Sequence, residues 1–299
     1  MHILITGGTG LIGRRLCAAF TARGDQVTVL SRRPHLVAGL CGADVRALAS
    51  LDDWQPDQHF DAVINLAGEP IIDKAWSESR KQVLLDSRVA LTHKLIEKIR
   101  QASIKPQVLL SGSAIGYYGI HPEEVLYEDA QAGNDFSATL CEQWEQAAAP
   151  AKDLGLRLVY LRTGLVLDEA GGVLKKMLLP FQLGMGSRLG NGKQWMSWIH
   201  RQDYLRAVLR LLDDEQAHGA FNLTAPMVVT NTEFTQILAH TLHRPALLMT
   251  PAFVLNLVLG ERSDLLLGGQ KVLPKALLAR GFQFDFSDLS SALINLLKK

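Results

Sequence analysis

A glycine-rich turn directly after the first predicted strand carries the most informative chemistry of this sequence. Residues 2–6 read His-Ile-Leu-Ile-Thr and predict a buried strand, and the next seven residues are Gly-Gly-Thr-Gly-Leu-Ile-Gly. In this spacing Gly7 permits a tight turn, Gly10 lets the backbone approach a pyrophosphate, and Gly13 permits close helix packing. The N-terminus of the following helix offers free N–H groups to phosphate oxygens. The pattern predicts a dinucleotide site formed by Gly7, Thr9, Gly10, Leu11, Ile12 and Gly13.

The end of the second predicted strand, residues 26–30, indicates which dinucleotide binds. An NAD site usually has Asp or Glu about 20 residues after the glycines, where the carboxylate accepts a hydrogen bond from the ribose 2′-OH. Here Ser31 is followed by Arg32 and Arg33. A hydroxyl and guanidinium groups form charge-assisted hydrogen bonds with a 2′-phosphate, whereas a carboxylate repels it. We therefore expect NADP(H), bound through Ser31 and Arg32. The alternative is that both arginines are solvated loop charges.

The elements that must position this turn alternate along the first half of the chain. Strands are predicted near residues 61–68, 107–111 and 157–162, and helices near residues 14–23, 87–102 and 136–149. Alternating strands and helices with short connections are typical of a parallel, doubly wound sheet. We predict an α/β, Rossmann-type fold. Its NADP-binding domain covers residues 1–165, with a segment of about residues 198–224 returning to it.

The second half of the chain predicts a smaller, mixed C-terminal subdomain, residues 166–299. Residues 183–192 contain four glycines and favour a loop. Further elements are a strand near residues 195–200, helices near residues 203–212, 232–243 (with Thr232 as N-cap), 251–259 and 270–280, and a short strand or extended segment near residues 281–286. We place this subdomain over the carboxyl ends of the parallel strands, where open α/β sheets bind their substrates.

Composition excludes several classes of function. The chain has 299 residues, and its 31 lysines and arginines nearly balance its 30 acidic residues, so no electrostatic footprint for nucleic acid or an anionic membrane is expected. Cys17, Cys41 and Cys141 lack metal-ligand spacing and predict reduced thiols in the cytoplasm. The apolar run 252–259 is too short to span a bilayer. We expect a cytoplasmic protein with a small-molecule substrate and no metal. A homodimer is left open.

These motifs together resemble the extended, epimerase-type branch of the short-chain dehydrogenase/reductase superfamily. Residues 6–13 match its nucleotide loop, Asn65-Leu66-Ala67-Gly68 its Asn-x-Ala-Gly strand end, and residues 190–203 its late substrate-domain signature. The closest resemblance is to the sugar-nucleotide epimerase family with a C-terminal domain of unknown function, which includes cell-division-inhibitor-like proteins. It covers essentially the whole chain and is carried by residues 65–71, Trp76, 113–119, 162–164 and 269–274. It implies that Leu66, Ala67 and Arg88 also contact the cofactor. The alternative for Arg88 is a solvated helix charge.

The catalytic pair of that superfamily is absent from its expected place. A lysine normally lowers the pKa of a tyrosine four residues before it, so that the phenol passes a proton, with a Ser or Thr nearby. Ser113 fits the hydroxyl position, but Phe136 and Leu140 stand about where the tyrosine and lysine are expected. Tyr118 precedes Gly119 as in the Tyr-Gly turn of the extended branch. We therefore predict Ser113 and Tyr118 as catalytic residues. Tyr117, Glu69, His200, Lys74 and Trp76 are further candidates, each with an ordinary packing or solvated role as its alternative.

Two functions from different classes follow. The complete nucleotide loop and the substrate-domain signature favour an NADP(H)-dependent epimerase-like or oxidoreductase enzyme that acts on a small polar substrate, with a nucleotide sugar as one option. The missing tyrosine and lysine favour an NADP(H)-binding regulatory protein with little or no turnover, for example in cell division. Fold alone does not decide between them.

We predict that NADPH binds at least tenfold more tightly than NADH, because the 2′-phosphate contacts of Ser31 and Arg32 contribute more than ~1.4 kcal/mol. Fluorescence or calorimetric titration with both cofactors measures this ratio. Arg32→Ala should remove most of the preference and leave NADH affinity nearly unchanged. Equal affinities in the unmodified protein would contradict the assignment.

Overall fold

The computed structural model describes residues 1–298. The strands are β1 (His2–Thr6), β2 (Gln26–Leu30), β3 (Arg46–Leu48), β4 (Ala62–Asn65), β5 (Val108–Ala114), β6 (His121–Leu126), β7 (Arg157–Thr163), β8 (Leu165–Leu167), β9 (Ser187–Leu189), β10 (Trp195–Met196), β11 (Trp198–His200), β12 (Gly219–Leu223), β13 (Val229–Thr230), β14 (Leu248–Thr250) and β15 (Gln270–Val272). The helices are α1 (Leu11–Ala22), α2 (Val37–Cys41), α3 (Glu78–Leu85), α4 (Leu91–Gln101), α5 (Phe136–Ala148), α6 (Gly172–Gln182), α7 (Arg201–Asp213), α8 (Asn231–Thr241), α9 (Ala252–Leu259), α10 (Asp264–Leu267), α11 (Lys275–Ala279) and α12 (Leu289–Leu297).

A seven-stranded sheet in the order β3-β2-β1-β4-β5-β7-β12 forms the centre, and all its neighbouring strands are parallel. Apolar clusters cover both faces: α1, α7 and α11 pack on one face, and α4 and α5 on the other. Burial on both faces explains why these strands read as continuous apolar runs. The strand order reverses at β1, between β2 and β4, and such a point opens the ligand crevice of α/β sheets. The predicted Rossmann-type fold is confirmed.

A smaller C-terminal subdomain has its own apolar cluster, to which α6, α8 and α12 contribute. Short two-stranded sheets, β14 with β9 and β10 with β13, complete it. Between these parts the chain returns to the large sheet, where β12 pairs with β7. No helix within residues 1–298 is long and apolar enough to cross a bilayer.

Several predicted elements differ from the structure. Residues 270–280 are not one helix: β15 pairs with β6, and the helix begins only after Pro274. The N-cap of α8 is Thr230, not Thr232, and it forms a capping box with Glu233. Residues 281–286 form no strand, because the Asp203 carboxylate accepts the backbone N–H groups of this segment at 2.9 Å instead.

The helix predicted near residues 87–102 begins earlier than expected. The chain is already helical in α3, and a π-helical turn, Asp86–Ala90, joins α3 to α4. Sequence periodicity missed α3 because its sequence, Glu-Ser-Arg-Lys-Gln-Val-Leu-Leu, lacks an apolar stripe. Single π-turns within helices are rare and occur frequently at functional sites.

His200, one of the candidate titrating residues, is a core residue of this fold. Its side chain is 1% exposed, and its ring lies 3.9 Å from that of Phe286 between centroids. Its Nδ1 atom accepts the backbone N–H of Gln202, which caps α7. Burial, together with the neighbouring Arg201 charge, lowers the pKa of His200 from 6.5 to about 4.

His200 should therefore make stability depend on pH. The unfolded imidazole binds a proton as pH falls below 6.5, whereas the folded one does not until about pH 4. The contribution of His200 to the free energy of unfolding is therefore fully present above pH 6.5 and is lost as the pH falls towards 4. Between pH 7 and pH 5 this group should lower the free energy of unfolding by about 2 kcal/mol. Urea unfolding at both pH values should show this component in the unmodified protein and not in His200→Asn. The control His218→Asn alters an exposed histidine and should retain it.

Candidate functional site

The glycine-rich turn lies between β1 and α1, against the chain that leaves β4. Gly7 has φ 71°, and a Cβ atom there would lie 2.7 Å from the Leu66 carbonyl, so both its conformation and this close approach require glycine. A Cβ at Gly13 would collide with the Gly7 carbonyl and the Gly8 backbone. These two glycines are therefore explained by the packing of the turn itself.

Gly10 differs from both. Its backbone is extended, with φ −74° and ψ 176°, a conformation open to any residue. A Cβ atom there would meet only the Gly7 carbonyl oxygen, at 3.2 Å. Gly10 is the N-cap of α1, where free N–H groups and the positive end of the helix dipole favour a phosphate. The missing side chain therefore leaves space at a place suited to a pyrophosphate.

Ser31 and Arg32 follow β2 at the same edge of the sheet. The Ser31 hydroxyl accepts the backbone N–H of Arg33 at 3.1 Å. The Arg32 side chain is 90% exposed, and its Nη2 atom donates to Glu69 Oε1 at 2.9 Å. This bond to Arg32, ahead of opposing burial, lowers the pKa of Glu69. Glu69, a candidate general base by sequence, is therefore an ionised partner of two arginines, Arg32 and Arg80.

A chain of buried hydrogen bonds holds the end of β4 against β1. Thr6 donates to Asn65 Oδ1 at 2.7 Å, and Asn65 Nδ2 donates to Thr92 at 2.8 Å. The Ala67 N–H donates back to the Thr6 hydroxyl at 3.1 Å. Asn65 therefore positions the strand end, and Leu66 and Ala67 lie beside the glycine turn.

Arg88 lies in the π-helical turn and is half-buried rather than solvated. Its Nη2 atom donates to the Glu69 carbonyl at 3.0 Å, and its guanidinium lies 5.4 Å from the Trp144 ring centroid. A Cβ atom on Gly68 would lie 2.8 Å from the Arg88 guanidinium carbon, so glycine is what permits this approach. Burial lowers the pKa of Arg88.

The structure brings most predicted cofactor residues to one edge. In the parallel register Thr6 is opposite both Leu30 and Asn65, so the residues after β1, β2 and β4 leave the sheet side by side. This edge carries the glycine turn with Thr9, Leu11 and Ile12, together with Ser31, Arg32, Leu66 and Ala67. Contact of these residues and of Arg88 with a cofactor stays a prediction.

The two predicted catalytic residues meet in a buried polar network that the sequence did not reveal. Its centre is an ion pair: Arg162 Nε lies 2.8 Å from Glu145 Oε1, and Nη2 lies 3.0 Å from Oε2. Ser113 donates to Glu145 Oε1 at 2.7 Å, and the Tyr118 hydroxyl accepts from Arg162 Nη1 at 3.0 Å. The available signal was the charged Arg162 directly after the apolar run of residues 158–161.

Tyr118 is completely buried. Its hydroxyl donates to Asn222 Oδ1 at 2.6 Å, and burial raises its pKa to about 12. The ring of Tyr117 stacks on Arg162, whose guanidinium carbon is 3.5 Å from the ring centroid. Both phenols are thus part of the packing around the ion pair, and a catalytic role for Tyr118 stays a prediction.

Aromatic packing occupies the start of α5, where the superfamily tyrosine is expected. The Phe136 ring contacts that of Trp76 at 4.9 Å between centroids, and Lys81 Nζ lies 5.4 Å from the Phe136 centroid. Leu140 is buried. The Trp76 indole donates to the Ile71 carbonyl at 2.8 Å, so its segment is folded on itself.

The segment of residues 69–81 crosses from the large sheet to the C-terminal subdomain. Asp73 pairs with Lys176 at 2.7 Å, Lys81 with Glu261 at 2.8 Å, and the Ile72 carbonyl accepts from Arg262 at 2.9 Å. These contacts tie the segment, with the exposed Lys74 and the half-buried Trp76, to the C-terminal subdomain. Within residues 1–298 no three His, Cys, Asp or Glu side chains group as a metal site.

We predict that Gly10→Val abolishes NADPH binding but leaves the protein folded, because the side chain fills the space beside the α1 N-terminus. Gly13→Val is the matched comparison, and it should lower the unfolding midpoint because the added atoms collide with the turn backbone. Titration with NADPH and denaturant unfolding separate the two effects. Normal NADPH binding by Gly10→Val would contradict the placement of the pyrophosphate beside this glycine.

Comparison with known proteins agrees with this geometry. Residues 3–224 match the model of the NAD dependent epimerase/dehydratase family, and residues 250–296 match a domain of unknown function, DUF1731. An epimerase family protein of Staphylococcus aureus (strain MW2) is 37% identical over 300 residues and 99% of each chain.

Two solved structures are also similar. The human epimerase family protein SDR39U1 (isoform 2), crystallised with NADPH, is 35% identical, with a TM-score of 0.92 over 100% of both chains. A nucleoside-diphosphate sugar epimerase from Corynebacterium glutamicum is 30% identical, with a TM-score of 0.77 over 99% of this chain and 58% of that one. The resemblance inferred from the sequence motifs is confirmed: the chain belongs to the NAD dependent epimerase/dehydratase family.

Proposed function

We propose that this protein is an NADP(H)-dependent epimerase-like or oxidoreductase enzyme that acts on a small polar substrate, with nucleotide sugars as the first class to test. The observation that carries the proposal is Gly10, since its backbone conformation does not require glycine, a Cβ atom there would make a single close contact, 3.2 Å from the Gly7 carbonyl oxygen, and it stands at the N-terminus of α1. Arg32, exposed at the same edge, supports NADP(H) over NAD(H). The NADPH in the crystal structure of human SDR39U1 supports the same cofactor.

Each part of the edge has a task in this proposal. The α1 N-terminus and Gly10 bind the pyrophosphate, and Ser31 and Arg32 bind the 2′-phosphate. Leu66 and Ala67 border the cofactor at the end of β4, and Arg88 supplies a positive charge behind them. Bound nicotinamide supplies the redox chemistry, while the protein orients it. The expected cytoplasmic location and the homodimer stay predictions.

Proton transfer is the step for which this chain departs from its superfamily. We assign it to Tyr118, to which Ser113 is connected through the Glu145–Arg162 ion pair. A phenol with a pKa of about 12 keeps its proton at neutral pH, so Tyr118 suits a proton donor better than a base. Arg162 donates a hydrogen bond to the phenol oxygen, and the Asn222 amide oxygen accepts the hydrogen bond that the phenol donates in the resting state. The Ser113 hydroxyl donates its hydrogen bond to Glu145, so its oxygen lone pairs are left as acceptors.

A second candidate is an NADP(H)-binding regulatory protein with little turnover. The observation that favours it is the packing of Phe136 against Trp76 where a catalytic phenol is expected, together with the complete burial of Tyr118. Such a protein would retain tight NADPH binding. It would show no reaction with any substrate in the presence of that cofactor.

Turnover on a panel of nucleotide sugars and small carbonyl compounds, followed by NADPH absorbance and product analysis, separates the two. If Tyr118 is the proton donor, Tyr118→Phe should lower turnover about 100-fold, the usual scale for a general acid, and leave NADPH affinity intact. Tyr127→Phe, on a phenol outside the network, is the control. Full activity in Tyr118→Phe would remove Tyr118 from the mechanism. No turnover with tight NADPH binding would favour the regulatory protein.

A further inference from the structure

The guanidinium proposed to bind the 2′-phosphate of NADPH already has a partner. Arg32 Nη2 lies 2.9 Å from Glu69 Oε1, although the Arg32 side chain is otherwise 90% exposed. Glu69 and a 2′-phosphate both need this guanidinium, and each is an anion. The contact links positions 37 residues apart, at the ends of β2 and β4.

Glu69 is the anchored member of this pair. Arg80, a largely buried residue, lies 3.5 Å from Glu69 Oε2 and donates to the Pro70 carbonyl at 2.6 Å. The Glu69 N–H donates to the Ser87 hydroxyl at 3.0 Å, and its carbonyl accepts from Arg88 at 3.0 Å. Arg32 projects into solvent on a flexible side chain. The partner that moves when a phosphate arrives is therefore Arg32, and the carboxylate stays.

We propose that Glu69 is a specificity-determining residue that weakens NADPH binding and reduces discrimination against NADH. When the 2′-phosphate binds Arg32, Glu69 loses its hydrogen bond to this guanidinium. The anchored Glu69 carboxylate then lies near a second anion, the 2′-phosphate. NADH lacks the 2′-phosphate, so Glu69 opposes only NADPH. The inference rests on the proposed NADP(H) function.

The size of the effect follows from the exposure of the pair. Exposed ion pairs contribute little, and repulsion across solvent is screened, so removing the carboxylate should tighten NADPH binding about three- to tenfold. Salt should reduce this gain, because solvent-exposed charges are screened within about 10 Å at moderate ionic strength. Most of the change should appear as slower NADPH release, as is usual for variants of one site.

The test measures dissociation constants for NADPH and NADH in the unmodified protein, in Glu69→Gln and in Asp73→Asn. Asp73→Asn is the matched control, since it removes a carboxylate from the same segment that pairs with Lys176 rather than Arg32. Glu69→Gln should tighten NADPH about three- to tenfold and leave NADH within about twofold. Asp73→Asn should change neither cofactor. In an Arg32→Ala background the gain from Glu69→Gln should shrink, because the competition for Arg32 is gone.

The remaining outcomes distinguish failure of this inference from failure of the proposed function. Unchanged NADPH affinity in Glu69→Gln, with a wild-type protein that prefers NADPH, overturns this inference alone. Weaker binding of both cofactors also overturns it, since Glu69 would then support the cofactor or the loop. Absence of NADPH binding by the wild-type protein overturns the proposed function as well. Glu69→Ala provides a second neutral side chain if Glu69→Gln unfolds.

Discussion

The parallel pairing of β1 with both β2 and β4 is the constraint on which the candidate site depends. It sets Thr6 opposite Leu30 on one side and Asn65 on the other. The glycine turn, the Ser-Arg sequence and the Leu-Ala strand end therefore leave the sheet at one edge. The Thr6–Asn65–Thr92 hydrogen bonds hold that edge together, and because they are buried each of them excludes alternative arrangements of the strand end.

The second organising interaction is the buried ion pair between Glu145 and Arg162. It joins α5 to β7, holds Ser113 of β5 through Glu145, and reaches Asn222 of β12 through Tyr118. Asn222 in turn donates to the Leu273 carbonyl, which ties the C-terminal subdomain to the same network. Removing one member of such a pair typically costs about 3–5 kcal/mol, because the other charge stays buried. Substitutions here therefore act on stability and on chemistry together.

The segment of residues 69–81 connects the edge with the glycine turn to the C-terminal subdomain. Glu69 contacts the arginines at the cofactor edge, and Asp73 and Lys81 pair with the C-terminal subdomain. The polar contacts with the subdomain named above are two ion pairs and one hydrogen bond from the Arg262 side chain to the Ile72 carbonyl, and exposed ion pairs of this kind contribute little free energy.

The sequence by itself determined the fold class, the glycine turn and the family, because these depend on local periodicity and on motif spacing along the chain. Most predicted strands and helices of the first half agree with the structure to within a few residues. Local signals could not find β15, whose strand conformation depends on pairing with β6, or the early helix α3, which lacks an apolar stripe.

Only the tertiary structure decided which polar groups meet. Arg32 and Glu69, Glu145 and Arg162, and Tyr118 and Asn222 are 37, 17 and 104 residues apart in the chain. Each residue alone resembles a solvated or catalytic group. Its burial and partner follow from how the strands and helices pack, and no short window of sequence encodes either one.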